Sequence, residues 1–174
     1  TMAGDILGHG VTGGGTLAIQ ANRVRIGASA DTLPEHALQL TPELFDNGFS
    51  AYRVTGLNGL EVTAGTQIDV TMPVYRFADT TLNPVSGVDP SQAMERWTPT
   101  LYQEDPLKGV LSQRAGASLA LQAGSSELDR FDTASTLTLG RGSRITVDPG
   151  QRINLRGTGQ ITLEGELQAW GGTL

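Results

Sequence analysis

Residues 134–174, ASTLTLGRGSRITVDPGQRINLRGTGQITLEGELQAWGGTL, carry a repeat that decides the fold. Apolar-x-apolar units recur there: Leu137/Leu139, Ile145/Val147, Ile153/Leu155 and Ile161/Leu163. Each of these units begins eight residues after the last, and glycine-rich punctuation falls between them. Within a unit the two apolar side chains face one way and the residue between them the other, the period of a strand. A strand-plus-corner unit of this length leaves no room for wide antiparallel hairpins. Stacking each strand on its equivalent one coil away solves the problem, because leucine, isoleucine and valine then align in apolar columns. One coil of three such units takes roughly 20–25 residues. Each buried Leu or Ile in a column contributes about 1.5–3 kcal/mol. The pattern therefore predicts a parallel β-helix. An antiparallel sandwich or barrel is the alternative, since evenly spaced short strands also occur there. The last unit, Leu167/Ala169, follows Ile161 by six residues and breaks the period.

The same eight-step appears in a separate block, Tyr52/Val54, Leu60/Val62 and Ile68/Val70, with Gly56, Gly59 and Gly65 between the units. Repetition in two blocks is the mark of a solenoid. Leu119/Leu121 continue it, and Leu17/Ile19 and Val24/Ile26 predict strands near 16–20 and 23–27 with a corner at Asn22-Arg23. Residues 28–50 interrupt the pattern. Thr41 as N-cap, Pro42 at the first helical position, Glu43 at the positive end and Gly48 as terminator predict a short helical turn over Pro42 to Asp46. Its Leu44 and Phe45 are expected to plug against the strands. Asp148-Pro149-Gly150 reads as a turn with Pro at i+1 and Gly at i+2.

Residues 73–114 differ. Five of the eight prolines lie there, and proline removes a ladder donor, so this segment does not form central strands. We read it as an excursion packed outside the solenoid, within a single β-helix segment covering residues 1–174. Asp89-Pro90 predicts a short helix through about Glu95 or Arg96.

The chain holds 12 basic and 18 acidic residues, a net charge of −6, which disfavours nucleic acid as a partner. No apolar run is long enough to span a bilayer as a helix. Cysteine is absent, which excludes disulfides and thiol chemistry. The opening TMAGDILGHG has neither the basic nor the apolar region of a signal peptide, and we expect the chain to be an internal piece of a longer protein.

Candidate chemistry is sparse. His9 and His36 lack a carboxylate pair at ligand spacing, and no Gly-x-Ser-x-Gly elbow is present. Polysaccharide-cleaving enzymes on β-helices need carboxylates clustered on one wall. Nothing in the spacing of Glu61, Asp69, Asp79, Glu104 and Asp105 demands that pairs of them meet, and they read as solvated. Gly13-Gly14-Gly15 lacks the Lys-Ser/Thr of a phosphate loop and reads as a corner. The sequence implies no cofactor, metal or catalytic residue. Tyr75, Arg76, Trp97 and Tyr102 are candidates for a sugar- or protein-binding face, or for anchors that hold the excursion to the strands.

GFSAYRVTGLNGLEVTAGTQIDV (48–70), MPVYRFAD (72–79), WTPTLYQEDP (97–106) and QRAGASLAL (113–121) resemble the filamentous haemagglutinin-type large exoproteins. TLTLGRGSRITVDPGQRINLRGTGQITLEG (136–165) is similar to their haemagglutinin repeats. The resemblance implies a right-handed parallel β-helix and a secreted or cell-surface bacterial protein. It also implies export by two-partner secretion through an outer-membrane β-barrel transporter, and a role in adhesion, biofilm formation or contact-dependent competition. The family's N-terminal secretion motifs, of NPNG and NPNL type, are not recognisable here. A structural and adhesive, non-catalytic segment is thus expected, with a host receptor, glycan or matrix polysaccharide as candidate partner. A carbohydrate-binding module or a polysaccharide-active enzyme is the alternative.

Overall fold

The computed structural model describes residues 6–8, 14–28, 33, 35–78, 94–98, 102–105, 107, 109–113, 115–125 and 135–174. The strands in order are β1 (Thr16–Ala21), β2 (Arg23–Ile26) and β3 (Ala37–Leu40), followed by a 3-10 turn at Pro42–Asp46. Next come β4 (Ala51–Gly56), β5 (Leu60–Val62) and β6 (Gln67–Val70). The segment after them carries β7 (Val74–Phe77), β8 (Met94–Trp97), β9 (Tyr102–Asp105) and β10 (Val110–Gln113). The chain then continues through β11 (Ser118–Ala123), β12 (Leu137–Leu139), β13 (Arg144–Val147), β14 (Ile153–Gly157), β15 (Ile161–Leu163) and β16 (Glu166–Gln168).

The fold is all-β, and its main sheets are parallel. The first sheet has the order β1-β4-β11-β14, the second β15-β12-β5-β2-β3 and the third β16-β13-β6. From β4 onward the strands enter these sheets in one recurring order: β4, β5, β6, then β11, β12, β13, then β14, β15, β16. The antiparallel alternative fails for these strands because every pair among them is parallel.

Register turns the sequence repeat into columns. Leu17, Tyr52, Leu119 and Ile153 align in the first sheet. Val24, Leu60, Leu137 and Ile161 align in the second, and Ile68, Ile145 and Leu167 in the third. One buried apolar cluster draws on all three sheets. The six-residue step before Leu167 is absorbed in the loop after β15, so Leu167 still meets Ile145 in register. Corners stack as well: Asn58 Nδ2 donates to Asn22 Oδ1 at 2.5 Å where the chain leaves the first sheet. At Gly124 the backbone has a φ of 90°, and a Cβ would lie 1.9 Å from the Thr158 hydroxyl, so the corner accepts only glycine without strain. The Pro149-Gly150 turn has the expected form: Gly150 has a φ of 77°, and Gln151 N–H donates to the Asp148 carbonyl at 3.0 Å.

The helical turn over Pro42–Asp46 forms as a 3-10 turn, with Phe45 fully buried and Leu44 nearly so. It packs against β6, the outer described strand of the third sheet on that side. Thr41 has the extended backbone of an N-cap, but its hydroxyl makes no cap bond and instead serves the Glu43 carboxylate. That bond and the backbone amide of Glu43 itself, the larger effect, hold the Glu43 carboxyl below its ordinary value.

Two expectations change. Strand β3 lies inside the stretch read as patternless. Its Gln39 is buried where alternation calls for an outward residue, and the side chain is held by donation from Nε2 to the carbonyl of Gly27 at 2.9 Å. The helix expected from Pro90 is a strand over Met94–Trp97, because those residues pair antiparallel with Val74–Phe77. Residues 89–93 lie outside the described residues. Among the described residues of 73–114, β7 pairs with β8 and β9 with β10, and no strand joins the parallel sheets.

The two ends of this insertion meet at one carboxylate. Asp148, buried before the Pro149-Gly150 turn, accepts Met72 N–H and Ala117 N–H on the same oxygen, each at 3.0 Å. The chain therefore leaves and re-enters the parallel sheets at nearly one point.

Candidate functional site

Three of the four residues singled out in the sequence fall on the β7–β8 ribbon. Arg76 stands opposite Glu95, Tyr75 opposite Arg96, and Val74 opposite Trp97. The Arg76 guanidinium lies 4.9 Å from the centre of the Trp97 ring and bonds Glu95 through Nε at 2.6 Å. Trp97 is half-buried. Tyr102 is on the separate β9–β10 ribbon, opposite Gln113, so the four do not share one pair of strands. The described contacts of Arg76 are thus internal to its ribbon. Among the described residues, Arg96 docks the ribbon, reaching both the carbonyl and the carboxylate of Asp46 at the end of the 3-10 turn. Aromatic content drew the sequence reading to Trp97. Arg96 gave no signal, because its partner is 50 residues away.

A second site lies on the outer face of the first sheet, in a groove of about 510 Å³. Its floor is set by the small residues Ala51 and Ala120, and Arg53, Arg152 and Arg156 stand along it. The register explains the shape: Arg53 lies between Ala18 and Ala120, a long side chain flanked by short ones, and Arg156 lies beside Gln122. Ser118 fixes the rim, donating to Gln151 Oε1 at 2.9 Å and accepting from Arg152 N–H at 3.3 Å. Asn154 completes the polar lining.

The charge arrangement sets this face apart. On the second sheet Arg25 lies beside Glu61, with a closest approach of 3.8 Å, and on the third Arg144 pairs with Glu166 at 3.0 Å. Gln168 foremost, with Arg144, holds the Glu166 carboxyl below its ordinary value. No carboxylate occupies β1, β4, β11 or β14, and among the described residues none lines the groove. Among the described residues, Arg53, Arg152 and Arg156 have no ion-pair partner. The arginines were visible in the sequence. Their assembly was not, because β4 and β11 are brought side by side across the whole insertion.

Glu61 and Asp69 are on the second and third sheets, on strands away from this groove. Glu104 and Asp105 are on β9, and Asp79 lies outside the described residues. No group of three or more His, Cys, Asp or Glu with metal-binding geometry occurs among the described residues. His36 is exposed in a turn beside Glu35, and His9 lies outside the described residues. No helix among the described residues is long and apolar enough to cross a membrane. Comparison of the chain with family models, curated proteins and solved structures finds no match.

Proposed function

We propose that the chain is a right-handed parallel β-helix segment of a secreted bacterial exoprotein of the filamentous haemagglutinin type. On this reading its three parallel sheets are the walls of the helix, and each passage through them is one coil. The segment serves as a structural and adhesive part of a fibre at the cell surface, without catalysis, in adhesion, biofilm formation or contact-dependent competition. The observation that carries the reading is the fixed order in which strands enter the three sheets with their apolar residues in register. Such a stack buries its core only through neighbouring coils, which suits an elongated fibre. Residues 73–114, with the Arg76–Trp97 pair, interrupt the stack and offer a surface that a regular wall lacks.

The export arm is tested with the full-length parent protein in cells with and without its paired outer-membrane transporter. Appearance outside the cell only with the transporter is expected, and equal export without it overturns the arm. The non-catalytic arm is tested by incubating the chain with a panel of polysaccharides and measuring reducing-end release. Robust turnover overturns it. Trp97→Ala tests the ribbon as a contact surface: reduced cell or glycan binding at unchanged melting temperature is expected, and a lower melting temperature with unchanged binding overturns that role.

A further inference from the structure

We infer that the groove on the first sheet binds a linear acidic polysaccharide through its uronate carboxylates. The inference concerns a face distinct from the ribbon and stands whether or not the export reading holds. Three arginines without carboxylate partners among the described residues line a groove on a protein of net charge −6. On the other two sheets Arg25 lies beside Glu61 and Arg144 pairs with Glu166, and Arg23 stands singly opposite Ala37, whereas this face gathers three such arginines in one groove. A guanidinium presents a planar fork of N–H donors that matches a carboxylate in two parallel hydrogen bonds. Ser118, Gln151 and Asn154 add hydroxyl and amide groups suited to sugar hydroxyls. The alanine floor lets a chain lie flat between the arginines, and the sheet beneath holds their backbones fixed.

Nucleic acid fits less well. Single-strand binders stack bases on aromatic side chains, and among the described residues the one aromatic residue at this groove, Tyr52, has its side chain buried in the core. A uronate polymer offers carboxylates to the arginines and many hydroxyls to the polar lining, with no bases to stack.

The test is fluorescence anisotropy of labelled alginate oligosaccharides with the whole chain at low and at physiological salt. Saturable binding that weakens with salt is expected. Arg53→Gln and Arg156→Gln should each weaken it about fivefold, the upper scale of one exposed ion pair. Arg144→Gln, outside the groove, should leave it unchanged. All three positions are exposed, so melting temperatures are expected to match the parent chain. Failure to bind alginate, binding equal to neutral dextran, or full retention by the Arg53→Gln/Arg156→Gln double variant overturns the inference. Tighter binding of dextran sulfate or of a single-stranded oligonucleotide overturns the uronate assignment in favour of that polymer.

Discussion

Tyr52 occupies a position where the repeat asks only for an apolar residue, and its ring and hydroxyl do different work. The ring is buried between Phe45 and Phe49, with centroids 5.5 and 5.7 Å away. The hydroxyl accepts Asn47 N–H at 2.9 Å and Phe49 N–H at 3.3 Å, satisfying the backbone that leaves the 3-10 turn. Burial raises the phenol above its ordinary value of 10.0, with the two amide donations opposing. The contribution is therefore complete below about pH 10, where the phenol is protonated in both states, and declines as pH rises because the unfolded chain ionises first. Tyr52→Phe should cost about 1–3 kcal/mol at neutral pH by leaving two amides without this acceptor. Urea unfolding at pH 7 and near pH 11 should show the gap between variant and parent narrowing at the higher pH, and an equal gap at both would refute this role. The period-two pattern made the inward direction of Tyr52 legible. It said nothing of the hydroxyl, whose partners come from a turn that follows different rules.

At the scale of the element, the columns explain why strands of three or four residues persist. Ile145 is fully buried between Ile68 and Leu167, while Leu163 on β15 is 52% exposed with a strand on one side only. Truncation should separate them: Ile145→Ala is expected to cost about 2–5 kcal/mol and Leu163→Ala well under half of that. Chemical denaturation of both variants checks the ratio, and equal costs would argue against column packing as the source of stability. The same contrast shows which elements the sequence could reveal. Leu137 to Leu163 repeat every eight residues, and neighbours in space repeat that spacing. Strand β8 had no such support: Met94–Trp97 alternates weakly, and its partner β7 lies across an insertion. The Asp89-Pro90 signal pointed to a helix, but pairing across the ribbon, with Arg76 on Glu95, prevailed over local preference. Docking of that ribbon rests on Arg96 at Asp46. Arg96→Ala should raise amide exchange in β7 and β8 at least severalfold while β4–β6 keep their protection, because local opening is decoupled from the buried columns. Loss of protection in all strands together would refute that separation.

For the whole molecule, the question is how a stack of parallel strands tolerates a long insertion between β6 and β11. The first sheet continues from β4 directly to β11 in full register, so the strands on either side pair as if the insertion were absent. Asp148 supplies the means. One of its oxygens takes Met72 N–H and Ala117 N–H, so the two ends lie no farther apart than two hydrogen bonds in series. A carboxylate accepting backbone donors in a buried site is a strong contact, and losing it takes an acceptor from both amides. Asp148→Ala should therefore cost about 2–5 kcal/mol, more than an ordinary surface change. Replacing residues 74–114 by a short glycine-containing turn should, by contrast, leave the parallel sheets intact, since loop closure favours the shorter connection. The measurement is far-UV circular dichroism with cooperative urea unfolding of both variants and of their combination. The expected order is a shortened chain as stable as the parent or more so, the Asp148→Ala chain weaker, and the combined variant recovering part of the loss, because a short turn holds the ends together that the carboxylate otherwise holds. A shortened chain that fails to fold would show instead that the insertion supports the stack. The eight-residue repeat made the stack itself readable from the chain. The neck was not readable, because it is made by one aspartate in a turn and two main-chain amides, which no side-chain pattern records.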